Sequence, residues 1–174
     1  VPTSIAVTTV GANVTLTETA ASNFLLSSAS CTDANSAVTG NTGSFGSLVG
    51  NVLTIPAANV VLGADITCVF TNRKTAQLTL RKSWVNAVVN DAVTVSTAGG
   101  TNNASLNSVA NTATEIDAAT AITVFAGETL TFSENFTTGN SANYTASLSC
   151  TGATDTNVAD GLTINAADSA ITCT

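Results

Sequence analysis

The chain repeats itself, and the repeat limits what it can fold into. "ITC" at 66–68 recurs at 171–173, and "LTI" at 53–55 recurs at 162–164. "VTLTE" (14–18) returns as "LTFSE" (130–134), and "SSASC" (27–31) as "ASLSC" (146–150). The longest match sets "SIAVTTVGANVTLTE" (4–18) beside "TAITVFAGETLTFSE" (120–134). Internal similarity at this spacing is the mark of a repeat array, built for length more than for chemistry. The two copies are offset. The stretch that opens "QLTLRKSWVNAVVNDAVTVST" has no counterpart in the first copy, and "VFTNRK" after the first "ITC" has none in the second. The expected organisation is the back part of one β-sandwich repeat over 1–73, then a second repeat over 74–174 that lacks its final strand.

The period inside each copy is two. Val14, Leu16 and Glu18 alternate with Thr15 and Thr17; Leu78, Leu80, Lys82 and Trp84 alternate with Thr79, Arg81 and Ser83. Leu130, Phe132 and Glu134 follow the same rule, as do Ile66, Cys68, Phe70 and Asn72. Alternation in Thr- and Val-rich runs predicts half-buried strands. They are expected near 5–10, 12–18, 24–31, 51–55, 65–72, 77–85, 92–97, 121–126, 129–135, 143–150, 161–165 and 170–174. Gly-, Asn- and Asp-rich stretches at 40–50, 99–103, 139–143 and 151–161 are expected turns. The stretch 104–117 carries no clear period and is expected to be irregular. The fold class is therefore all-β, in tandem antiparallel β-sandwich repeats of Ig-like layout.

Composition narrows the function. Charged residues are 9% of the chain, against about 25% in ordinary globular domains. The surface must rest on Thr, Ser and Asn. The net charge is −7, so no basic face offers itself to phosphates and nucleic acid is not an expected partner. The four basic residues, Arg73, Lys74, Arg81 and Lys82, cluster where the two copies meet. No apolar run approaches the length needed to span a membrane, and no signal peptide is visible. There is no His, so the ordinary Ser-His and Cys-His pairs are out of reach and an enzyme is not expected.

Each copy carries two cysteines at matching places. Repetition of both partners predicts the disulfides Cys31–Cys68 and Cys150–Cys173, and with them an extracellular location. Zinc is a weak rival without His or a C-x-x-C spacing. Asp155, Asn157 and Asp160 lack EF-hand spacing and read as turn formers, so no metal and no cofactor is expected. Asn13, Asn103, Asn135 and Asn143 fit the N-x-[ST] pattern, which arises by chance in a chain this rich in Asn and Thr.

Four polar residues share strand faces with apolar ones. Lys82 lies in phase with Leu80 and Trp84, Glu134 with Phe132, Glu18 with Leu16, and Asn72 with Phe70. Burying an unpaired charge costs several kcal/mol, about 3–5 when a partner is lost, so such groups should meet one another or change protonation. A neutral amine, a protonated carboxyl and a carboxamide held together form a reactive set: the amine attacks the Asn carbonyl, ammonia leaves, and a Lys–Asn isopeptide bond remains. The rival expectation is that Lys82 snorkels at a strand end and the glutamates sit on the rim.

On these residues the chain resembles a known family. "LRKSW" (80–84), "LTFSE" (130–134) and "VFTN" (69–72) are similar to the first, acidic and last strands of Cna-B/SpaA-type domains. The resemblance implies a prealbumin-like fold and a role as a stalk module of bacterial surface proteins and pili. Carried over residue by residue, it makes Lys82 the isopeptide lysine and Glu134 its acid, with Glu18 and Asn72 the acid and acceptor of the preceding unit. Lys82's own acceptor would then lie past Thr174, and Asn72's lysine before Val1.

The expected function is a structural module of an extracellular filament, pilus or adhesin stalk. Its expected partner is itself, through adjoining repeats or a strand donated by a neighbouring subunit, for which residues 1–10 alternate suitably. The alternative is an adhesin domain that binds a host glycan or protein through polar loops at 32–50 and 98–117. Those loops are nearly free of aromatics, which is poor material for an affinity hot spot.

Overall fold

The computed structural model describes residues 4–174. The chain divides into two compact units, Val1–Arg73 and Lys74–Thr174.

In the first unit β1 (Val14–Thr17), β4 (Val52–Ile55) and β3 (Ser47–Val49) form an antiparallel sheet in the order β1-β4-β3. The unit also contains β2 (Phe24–Asp33), which pairs with β5 (Ile66–Val85). β5 begins in this unit and runs on into the second. The core is thin: Cys31, Leu53, Ile55 and Val60 are buried, with Val14, Leu16, Phe45, Ile66 and Phe70 packed against them. Alternation along β5 turns Ile66, Cys68 and Phe70 inward while Thr67, Val69 and Thr71 face water.

The second unit is larger and better filled. One sheet runs β12 (Leu162–Thr163), β10 (Thr129–Thr138), β6 (Ala92–Ala98), β7 (Ser105–Val109). In the other, β5 is flanked on one edge by β8 (Thr114–Ala118) and β9 (Ile122–Phe125) and on the opposite edge by β13 (Ala170–Cys173), with β11 (Cys150–Thr151) beyond. Inward residues of both sheets form the core: Leu78, Leu80 and Trp84 from β5, Val93 from β6, Leu130 from β10, Ile171 from β13. This is the sandwich layout that period-two sequences favour.

The fold is all-β as expected, and several local expectations need correction. Residues 4–10 form no strand, and residues 1–3 lie outside the described residues. Their repeat partner, β9, is a strand because it pairs with Thr75–Leu78 of β5; among the described residues no strand of the first unit pairs with 4–10, and Ile5, Val7 and Val10 are exposed. The stretch 104–117, expected to be irregular, carries β7 and β8. There is thus no long free loop at 98–117. The 40–50 turn region contains β3. The expected strands 65–72 and 77–85 are one continuous strand. The expected strand 143–150 is irregular until Cys150. The pairing of β13 with β5 is parallel; alternation specifies which face a residue takes and says nothing of strand direction.

Candidate functional site

Cys31 is joined to Cys68 and Cys150 to Cys173, closing separations of 37 and 23 residues. Loops of this size restrain the unfolded chain by about 3–4 kcal/mol each. The second bridge ties adjacent strands, since Cys150 lies opposite Cys173 in the antiparallel β11–β13 pair. Gly152 makes the tight exit from β11: its φ is +78°, and a Cβ there would collide with the carbonyl oxygen of Ala170.

The second unit holds Lys82 and Glu134 together. Lys82 projects from β5 on the Leu80–Trp84 face, and Glu134 from β10, where it lies opposite Val95 of β6. Lys82 Nζ stands 2.7 Å from Glu134 Oε1, with the two side chains 16% and 23% exposed. The ammonium also sits 4.6 Å from the centre of the Trp84 ring, within reach of a cation–π attraction. Glu134 Oε1 is buried, and the Lys82 ammonium is its ion-pair partner.

Trp84 is fixed from behind. Its indole Nε1 donates to Ser108 Oγ at 2.7 Å, and Ser108 Oγ donates to Asp117 Oδ2 at 2.6 Å. Asp117 is the cross-strand neighbour of Lys82 in the β5–β8 pair. Phe136 and Tyr144 complete an aromatic cluster, with ring centres 6.3 Å and 5.8 Å from Trp84. The Tyr144 hydroxyl donates to Asp91 Oδ2 at 2.6 Å and accepts from the Val88 amide at 3.1 Å. The hydrogen bond to Asp91 raises the phenol above its ordinary value.

These groups border an open cleft of about 770 Å³, lined among others by Leu80, Lys82, Trp84, Phe132, Glu134 and Leu148. Its lining mixes these apolar side chains with polar residues, Ser83, Ser96, Ser133 and Ser147 among them.

The first unit shows the complementary pair. Asn72 Nδ2 donates to Glu18 Oε1 at 2.6 Å. Glu18 and Glu134 occupy the same place in the repeat. One carboxyl meets a carboxamide and the other an amine. Among the described residues, neither unit unites lysine, acid and asparagine.

Other sequence candidates serve their own loops. Asp155 accepts from the amides of Thr163 and Asn157, at 2.8 Å and 3.0 Å, and these bonds lower its pKa. Asn157 caps the short helical turn Val158–Asp160.

Sequence reasoning missed two polar clusters. Asp33 is buried and accepts from Thr39 Oγ1 and Asn41 Nδ2 and from the amides of Asn35 and Asp65. The Thr39 bond leads in lowering its pKa to about 2. Buried Asn41 also donates to the Asn59 carbonyl. Together they tie down the loop after β2, whose polar groups face one another. The signal was available, since Asp33 follows Cys31 at strand spacing. Ser108 and Asp117 had no such signal, because they lie in the stretch without a period.

The family comparison bears on the first unit. Residues 1–74 match the family model described as a prealbumin-like fold domain, so the resemblance, drawn within that unit from "VFTN", holds there. No curated protein and no solved structure matches the chain.

Proposed function

We propose that this chain is a structural segment of an extracellular filament, pilus or adhesin stalk, composed of prealbumin-like β-sandwich modules each restrained by a disulfide. Lys82 forms an isopeptide bond to an asparagine brought into the cleft of the second unit, and Asn72 is the acceptor for the lysine of the first. Surface and pilus proteins are the setting in which prealbumin-like modules of the SpaA type occur, and disulfides belong outside the cytoplasm.

The observation that carries this reading is the pairing of Lys82 with Glu134 beside Trp84, with Glu18 holding Asn72 at the equivalent place. In the reaction Lys82 Nζ, as a neutral amine, attacks the carboxamide carbon. The Glu134 carboxyl polarises the carbonyl and passes the amine's proton to the departing nitrogen. The carbon–nitrogen bond of the carboxamide breaks, ammonia leaves, and one amide bond replaces another with no oxidant or cofactor. The indole face of Trp84 lies against the amine on one side.

The test is peptide mapping of native material after full denaturation and reduction. The reading predicts a branched peptide at Lys82 with one ammonia missing. An unmodified Lys82 peptide in native filament material defeats the bond. A species near 17.3 kDa in the same experiment reports a discrete subunit, and a much larger one a long array or covalently joined subunits.

A further inference from the structure

Lys82 passes over the carboxylate nearest to it in register. In the β5–β8 pair Asp117 lies directly opposite Lys82, and alternation turns both side chains to the half-buried face. Cβ atoms at such positions stand about 4.5–5.5 Å apart, and opposite charges there attract one another. Yet among the described residues the ion pair of Lys82 is with Glu134, across the sandwich on β10. Asp117 is engaged elsewhere.

The group that engages it is Ser108. This residue lies on β7, opposite Val93 of β6, and is 1% exposed. Its hydroxyl donates to Asp117 Oδ2 at 2.6 Å and accepts from Trp84 Nε1 at 2.7 Å. Chemistry fixes the direction of both bonds. An indole N–H only donates, a carboxylate only accepts, and a serine hydroxyl has one proton to give. One buried oxygen therefore satisfies the ring and occupies the acid together. The ring that it anchors carries the Lys82 ammonium on its face, 4.6 Å from the centre. Without Ser108 the buried indole N–H is left unsatisfied, and the ring gains a reason to turn toward another acceptor.

We infer that Ser108 is a positioning residue for the Lys82 amine and selects which carboxylate the amine meets. By taking the Trp84 N–H it sets the ring face against the amine. By binding Asp117 it withdraws the nearer competitor and leaves Lys82 to Glu134. Ser108 acts through these two partners and takes no part in a bond-making step. This deepens the proposed function and rests on it for its purpose, since there Lys82 is the attacking amine and Glu134 its acid. The placement itself requires no covalent bond to form.

The experiment is nuclear magnetic resonance on the 174-residue chain with isotope-labelled lysine. Its lysines are Lys74 and Lys82, and Lys82→Arg assigns the two signals. Two readings are taken at the Lys82 ε-methylene: its ring-current displacement by Trp84, and its proton contacts with the Glu134 γ-methylene or the Asp117 β-methylene. The parent is expected to show an upfield ε-methylene in contact with Glu134. Ser108→Ala should move the signal toward that of Lys74 and transfer the contact from Glu134 to Asp117. Ser108→Ala/Asp117→Asn should return the contact to Glu134, because the freed neighbour no longer carries charge, while the ring displacement stays reduced. The amide spectrum reports folding in every sample. Ser108→Cys fills the same space with a weaker donor and acceptor; it should shift both readings in the same direction and carries the test where Ser108→Ala does not fold. Parent readings in a folded Ser108→Ala or Ser108→Cys overturn the positioning role, as does a parent without the upfield signal. A contact that fails to return in the double variant overturns the choice between carboxylates. The expected readings together with an unmodified Lys82 in native filament material defeat the isopeptide reading and leave the positioning role standing.

Discussion

Lys82 Nζ and Glu134 Oε1 stand 2.7 Å apart on strands of opposing sheets, over the face of Trp84. Neither residue is fully buried, so water still reaches the pair. That state suits a site held ready for a third group. Lys82→Met leaves the carboxylate without its cation and is expected to cost about 1–3 kcal/mol. The double variant Lys82→Met/Glu134→Leu is expected to return to within about 1 kcal/mol of the parent, because well-packed apolar groups replace a desolvated ion pair at little cost. Urea unfolding followed by the fluorescence of Trp84, the single tryptophan, measures both. A double variant as unstable as the single one sinks this account.

Asp33 makes the stability of the first unit pH-dependent. Its pKa falls from 3.8 to about 2 on folding, chiefly through Thr39. The folded state thus favours the carboxylate. Its contribution is complete above the unfolded value of 3.8 and is lost as pH falls through about 2. The urea midpoint of the first unit should drop across that window. Asp33→Asn should be less stable at neutral pH and should show a flatter profile below pH 4.

Tyr144 is the only tyrosine, so its phenol can be titrated by absorbance without ambiguity. The hydrogen bond it gives to Asp91 favours the neutral form, and the midpoint is expected above 10.0. Stability from this bond is present below the unfolded value and disappears as pH rises through the folded one. Tyr144→Phe removes the donor from buried Asp91 and should cost about 1–3 kcal/mol. A midpoint at or below the ordinary value contradicts the hydrogen bond.

Ser108 links Trp84 to Asp117 in a buried relay. Ser108→Ala leaves the indole N–H without its acceptor and is expected to destabilise the second unit by about 1–3 kcal/mol. It should also shift the Trp84 emission. An unchanged spectrum with unchanged stability excludes a role for the relay in holding the ring.

The disulfides contribute separately to the two units. Cys150→Ser/Cys173→Ser is expected to lower the stability of the second unit by about 3 kcal/mol and to leave the first unit's transition in place. Two resolved transitions in calorimetry, only one of them shifted, is the expected record.

Much of this was legible in the residues alone. Alternation placed Lys82, Glu134, Glu18 and Asn72 on apolar faces, because a strand sends every second side chain to the same side whatever its neighbours do. The duplication indicated the matching cysteines. Strand pairing was another matter. Tyr144–Ser149 and Phe24–Cys31 have like sequences, yet only the second is regular, and Ser4–Val10 resembles β9 without forming a strand. A strand draws its stability from hydrogen bonds to a partner, and the partner is supplied by distant parts of the chain. The sequence by itself therefore determined the fold class and which residues face inward. Only the tertiary structure decided which segments find a partner edge, that β13 runs parallel to β5, and that Glu134 is left with an amine where Glu18 has a carboxamide.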